Sequence, residues 1–331
     1  MQEKRLDVVG IGSALVDVIA RSSEDFLREH GMHKGAMRLI GAEEAVALYA
    51  KMGPGVETSG GSVPNTCAGI ASLGGRAAFI GKVAKDQLGE IFAHDIKAVG
   101  VTYTTPPSAN ASPTGRCLIL VTPEGERTMN TFLGAAAELG VAELDEDAIA
   151  SAKILYLEGY SFDPPLTRAA FHKAASMAKR AGTRVAVTLS DPFCVDRHRA
   201  AFLDFIARNT DIVFANEKEL LSLYETQDFN AACARLRGAV ELAIVTRSEK
   251  GSLVLNGAGD IPIPAVPVDE VVDTTGAGDM YAAGFLFGLA TGRDLATCGR
   301  IASLCAAEVI SHIGPRPQTD LSVLVRSAGL M

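Results

Sequence analysis

A chain of 331 residues with 48% hydrophobic and 21% charged residues can bury one large α/β core or two smaller ones, and that balance excludes extended disorder. A net charge of −8 without any run of Lys or Arg sets the surface field against nucleic acid. The opening MQEKRLDVVGIG has charges and then only a short apolar segment, so no signal peptide or membrane span is expected and the protein reads as cytoplasmic.

In chain order, β-rich runs at 7–11, 77–80, 154–157, 184–189, 211–214 and 242–246 predict buried strands. Stretches at 65–73, 88–99, 166–180 and 217–224 predict the helices between them. This alternation implies βαβ units and a mainly parallel sheet with helices on both faces. Two regions break the rhythm, residues 13–40 and 101–133, with strand-like pieces at 36–40, 116–121 and 127–132 and a turn at Pro123-Glu124-Gly125. They predict a small separate sheet, either a lid that excludes water from an active site or an ordinary β-extension. Residues 1–12, 41–100 and 134–331 then form the large domain. The cysteines Cys67, Cys117, Cys194, Cys233, Cys298 and Cys305 show no C-x-x-C pair or zinc-ligand spacing, which suits reduced core thiols.

Two glycine motifs fail as phosphate sites. Gly10-Ile11-Gly12 follows the first strand, but Leu15 stands where a dinucleotide fingerprint needs its third glycine. Gly81-Lys82 is followed by Val83, not the Ser or Thr of a P-loop, and no H-R-D or D-F-G sequence occurs.

The most informative stretch is VVDTTGAGDMYAAGFLFGLATG, residues 271–292. Extended residues 271–275 lead into Gly276-Ala277-Gly278, and the apolar run 280–289 predicts a buried helix. Amides at such a helix start favour phosphate. Asp279 beside them is then either a general base for a hydroxyl or a residue that complements the helix dipole. Around it, Gly61 and Asn65 offer close backbone approach and an amide side chain for a polyhydroxyl ligand, and Asp17 could accept from two vicinal hydroxyls or sit in a turn. Asn216 and Glu219 have the spacing of a capping box, or could reach hydrated Mg²⁺.

Together these segments resemble the ribokinase, or phosphofructokinase-B, family of sugar and nucleoside kinases. The signatures are GGSVPNTCAGIASLGGRAAFIGKVAKDQLGEIFAHDIKAVGV at 60–101 and the stretch 271–292, and the likeness spans nearly the whole chain. It implies a three-layer sandwich with a β-sheet lid, and ATP and Mg²⁺ as cofactors. Asp279 would be the base and Gly276, Ala277 and Gly278 the anion hole, with Asp17, Gly61 and Asn65 on the sugar hydroxyls. Asn216, Thr246, Ser248 and Gly251 would contact ATP, and Glu219 would meet Mg²⁺ through water; many members have Gly at the place of Ser248. A K⁺ site near Asp269 and Val271 occurs in relatives, and relatives are monomers or homodimers paired through the lid.

Within the family the likeness is greatest to adenosine kinases, through Thr188-Leu189-Ser190-Asp191-Pro192-Phe193. The implied reaction is ATP-dependent phosphorylation of the adenosine 5′-hydroxyl. The alternatives are a kinase for ribose, fructose, inosine or guanosine, or a non-catalytic sugar or nucleoside sensor.

Overall fold

The computed structural model describes residues 4–110 and 112–331; Met1, Gln2 and Glu3 of the charged opening and Ala111 of the second predicted insertion lie outside the described residues. Its strands are β1 (Leu6–Ile11), β2 (Leu15–Arg21), β3 (Met37–Leu39), β4 (Gly55–Gly60), β5 (Ala77–Ile80), β6 (Thr102–Tyr103) and β7 (Thr114–Val121). They continue with β8 (Arg127–Gly134), β9 (Ala152–Glu158), β10 (Arg184–Thr188), β11 (Ile212–Asn216), β12 (Leu242–Thr246), β13 (Ser252–Asn256) and β14 (Gly259–Ile263). Nine form a sheet in the order β14-β13-β12-β11-β10-β9-β1-β5-β6, and five form a second in the order β3-β8-β7-β2-β4.

The large sheet is parallel from β12 to β6, and β13 and β14 close one edge as an antiparallel hairpin. Alternate residues of its strands enter two different cores: Val9, Ile11, Leu155 and Leu157 on one face, Val8, Ile154 and Tyr156 on the other. Both faces are therefore apolar, as a parallel sheet covered twice requires. Helices Pro165–Ala181, Pro192–Asn209, Glu217–Tyr224 and Phe229–Arg237 cover the first face. Helices Ser62–Ser72, Gln87–Ala98, Ala277–Ala290 and Leu295–Val309 cover the second, giving the expected three layers. All six cysteines are buried and free, and no helix among the described residues is long and apolar enough to cross a membrane.

The small sheet draws on more of the chain than the two predicted insertions. β4 lies within 41–100 yet pairs antiparallel with β2, and Ala45 and Leu48 of helix Ala42–Tyr49 pack in the small sheet's own core. β4 is an edge strand whose first residues are exposed, so its sequence GVETSG carries no apolar periodicity to betray it. Conversely β6 lies within 101–133 but pairs with β5, because buried Tyr103 packs on Phe79 and Phe92 of the large domain. The predicted strands at 36–40, 116–121 and 127–132 are β3, β7 and β8, and Gly125 takes φ +79° in the turn between the last two.

Phe162, just after β9, is fully buried, stacks on Phe202 at 4.2 Å and meets Phe171 and Phe205 edge-on. It fastens two helices to the sheet. Phe162→Ala should lower the unfolding free energy by about 3–5 kcal/mol in urea denaturation; a loss below about 1 kcal/mol contradicts this packing.

Candidate active site

From β1 the chain goes to β5 and β6 on one side, then returns to β9 on the other, so the strand order switches at β1. Crevices form at the carboxyl ends of parallel strands at such points. Ser13, Glu158, Tyr160, Thr188, Asn216 and Thr246, at or just beyond the carboxyl ends of β1, β9, β10, β11 and β12, line a cavity of about 820 Å³ there. Asp17, Met37, Cys117, Arg127 and Met129 from the small sheet supply the opposite wall.

Asp279 lies in the first turn of helix Ala277–Ala290 and lines this cavity. The Ser62 hydroxyl donates to its Oδ1 at 2.7 Å, and the Asn65 amide donates to its Oδ2 at 3.0 Å. Burial pushes the carboxyl above its ordinary pKa, and these two donors, with the charges of Arg127 and Arg316, oppose that rise. Gly276 takes φ +80°, and a Cβ there would stand 2.7 Å from Pro315, so both conformation and space demand glycine. A Cβ on Gly278 would meet open space, whereas the Ala277 amide closes a turn onto the Thr274 carbonyl at 3.3 Å. Residues 271–275, read as extended, form no strand: the Val272 amide bonds the Ile310 carbonyl and the Thr274 amide the Gly125 carbonyl.

Asp17 is on β2, opposite Thr58 of β4 and Cys117 of β7, and is almost fully buried. Burial raises its carboxyl to about 7 despite the charges of Arg316 and Arg127 and the Gly61 amide; the Asp279 charge raises it too. A Cβ on Gly60 would fall 2.0 Å from the Asp17 carboxylate, and one on Gly61, at φ +100°, 2.2 Å from the Ser13 carbonyl. The glycine pair thus lets β4 close over Asp17. Asn65 uses its amide oxygen to accept from Arg316 Nε at 2.9 Å while its nitrogen serves Asp279.

Asn216 and Glu219 form the capping box: the Asn216 backbone amide donates to Glu219 Oε2 at 2.9 Å, the Asn216 side-chain amide to Oε1 at 2.6 Å, and the Glu219 amide to Asn216 Oδ1 at 2.8 Å. Both residues still line the cavity, and burial lifts the Glu219 carboxyl to about 7. Thr246, Ser248 and Gly251 line it as well. Ser248 takes φ +51°, a left-handed conformation that favours glycine. Of the 188–193 segment, Thr188 and Ser190 line the cavity, while Asp191 caps helix Pro192–Asn209 and Phe193 is half exposed.

The failed glycine motifs have packing explanations. A Cβ on Gly10 would lie 2.3 Å from Val63 and one on Gly12 2.5 Å from the Glu158 carboxylate, so these glycines admit neighbours, not a dinucleotide. Lys82 pairs with Glu143 at 2.7 Å.

Three residues escaped sequence reasoning. Arg127 on β8 reaches across to the Thr274 carbonyl at 2.6 Å, beside the glycine loop. Glu158 is fully buried and accepts from the Ser13 amide, the Val63 amide and the Ser161 hydroxyl. Arg316 meets both Asn65 and Ser59. Only Glu158 carried a sequence signal, a lone carboxylate at the end of the apolar run 154–157 that needs partners once buried; Arg127 and Arg316 lie among polar residues and prolines and carried none.

A carboxyl raised from 3.8 to about 7, as at Asp17, adds most to stability below about pH 4 and loses that contribution as pH rises through about 7. Asp17→Asn, neutral throughout, should therefore gain melting temperature relative to wild type between pH 5 and pH 8. An equal difference at both pH values contradicts the burial of an ionisable Asp17.

The pfkB family carbohydrate kinase model matches residues 7–320. Among solved structures, the adenosine kinase of Sinorhizobium meliloti is 52% identical, with TM-score 0.96 over 98% of this chain and 99% of that one. A probable sugar kinase from Rhizobium etli is 50% identical, with TM-score 0.97 over 99% of this chain and 100% of that one. The adenosine kinase of Saccharomyces cerevisiae is 27% identical over 333 residues, covering 93% of this chain and 96% of its own. With the family model spanning nearly its whole length, the chain belongs to the pfkB family of carbohydrate kinases and is a phosphotransferase acting on a hydroxyl group.

Proposed function

We propose that the protein transfers the γ-phosphoryl group of ATP to the 5′-hydroxyl of adenosine, giving AMP and ADP, in the cytoplasm. The observation that carries a nucleoside over a free sugar is the wall near Asp17. There Leu15, Met37, Leu39, Ile119, Met129 and Leu133 line the cavity with apolar side chains. A free ribose or fructose bears hydroxyls around its whole rim and would leave that wall unmatched, whereas a purine presents a broad face to it. Thr131 and the Cys117 thiol, 3.3 Å apart, are the polar points available to a base edge. The likeness to two adenosine kinases supports the same reading.

In this mechanism Asp17 and Gly61 hold the ribose hydroxyls, and the 5′-hydroxyl approaches Asp279. The carboxylate already accepts from Ser62 and Asn65, so its orientation is set before substrate arrives, and its raised pKa strengthens it as a base. As the new O–P bond forms and the bond from the γ-phosphorus to the bridging oxygen breaks, the hydroxyl proton passes to Asp279 and ADP leaves. The amides of Gly276, Ala277 and Gly278 stabilise charge on the transferring group, for which Ala277 must exchange its long bond to Thr274. Arg127 adds positive charge from the small sheet.

Asn216, Thr246, Ser248 and Gly251 form the ATP side in this reading. Mg²⁺ takes most of its ligands from waters and phosphates, so a single carboxylate such as that of Glu219 would suit contact through water, and the ion would neutralise phosphate charge. A monovalent cation beside Asp269 and Val271 would steady the glycine loop.

With adenosine, inosine, guanosine, ribose and fructose at equal concentration, adenosine should give the highest kcat/KM, with AMP as product. A preference for ribose or fructose would sink the nucleoside reading, and adenosine binding without ATP consumption would favour the sensor. Asp279→Asn should lose about 10²–10⁴-fold in kcat with an unchanged circular dichroism spectrum; near-wild-type turnover removes Asp279 as the base.

A further inference from the structure

We propose that Arg316 is a positioning residue for phosphoryl transfer: through the Asn65 amide it fixes the orientation of the Asp279 carboxylate. The proposal rests on the reading of Asp279 as the base.

The two ends of an Asn side-chain amide have nearly the same shape, and only their partners decide which way it faces. A guanidinium has donors and no acceptor. Arg316 Nε therefore claims the Asn65 oxygen at 2.9 Å, which turns the Asn65 nitrogen towards Asp279 at 3.0 Å. Were the amide reversed, its oxygen would face a carboxylate oxygen and its nitrogen a cation.

Arg316 is itself held in place. Its Nη2 donates to the Ser59 carbonyl at 3.0 Å and reaches the Ser59 hydroxyl at 3.3 Å, at the end of β4 where Gly60 abuts Asp17. Two residues earlier, the Gly314 amide donates to buried Asp273 at 2.9 Å, and Pro315 lies directly against Gly276. One three-residue segment thus braces both the glycine loop and the relay to the base.

The cation also bears on charge. Asp17, Cys67, Asp279 and Asp95 face Arg316; Asp279 is faced by Arg127 and Arg316, and Asp17 by Arg316, Arg127 and Asp279. Burial raises both cavity carboxyls and Arg316 opposes the rise at each. Without it, both should need a higher pH to ionise.

The test is steady-state kinetics between pH 5 and pH 9 on wild type, Arg316→Met, Arg316→Lys, Asn65→Ala and the double variant Asn65→Ala/Arg316→Met. Asp279→Asn runs alongside. Arg316→Met should lose about tenfold or more in kcat, with the KM for ATP near wild type and the acid limb of the kcat profile moved to higher pH. In the Asn65→Ala background the same change should cost less than about threefold, because the relay is already broken. Arg316→Lys should keep the acid limb, since the charge remains, yet still lose kcat, since an ammonium lacks the fixed planar Nε–H. A folded Arg316→Met protein with wild-type kcat and acid limb overturns the proposal, as do losses that multiply fully in the double variant. If Arg316→Met does not fold, Arg316→Lys alone and with Asn65→Ala decides by the same comparison. Near-wild-type turnover of Asp279→Asn would instead mark failure of the base assignment, whatever the Arg316 variants do.

Discussion

A carboxylate in the first turn of a helix, lining the cavity between the two sheets and held by two donors from another helix, is the interaction on which the rest of this structure depends. Asp279 occupies the first turn of a helix, and burial pushes its carboxyl above the ordinary carboxylate pKa. The positive end of the helix favours the anion, and Ser62 and Asn65 spend a hydrogen bond each on it. Its pKa stays above the ordinary value all the same. For a group proposed to take a proton this balance is useful: too well stabilised, the carboxylate would be a poor base.

The fold brings the required pieces together from distant parts of the chain. The switch in strand order at β1 opens the crevice, the small sheet supplies its second wall, and the partners of Asp279 come from the helix that begins just after β4. Glycines occur where backbone must come closer than a side chain allows, as Gly60 does against Asp17 and Gly276 against Pro315. Both contacts join segments remote in sequence. The apolar wall of the small sheet and the donor-rich floor then divide the labour in the proposed reaction, one matching a base and the other holding hydroxyls and phosphate.

Much of this was legible in the sequence because it is local. The buried strands carry continuous apolar runs, helix Glu217–Tyr224 has its capping box spelled out in Asn216 and Glu219, and Gly276 to Asp279 sit together on one turn. What could not be read depends on contacts across the fold. β4 is an exposed edge strand with no periodic signal, and β6 is a two-residue strand held by aromatic packing from elsewhere. Arg127 and Arg316 are single cations more than 150 and 200 residues apart from some of the groups they serve, as Arg316 Nε and Asn65, separated by 251 positions, illustrate. The same limit explains why Asn65, expected on the substrate, turns out to be bound first to Asp279 and Arg316.

The most direct test of the central claim is a structure of the protein with adenosine and a non-hydrolysable ATP analogue. The account predicts the 5′-hydroxyl within hydrogen-bond reach of Asp279, about 2.6–3.2 Å, with the terminal phosphate against the amides of residues 276–278 and the base on the Met37 and Met129 wall. A ligand bound in this cavity with its hydroxyl turned away from Asp279, or with the phosphates lying elsewhere, would contradict it.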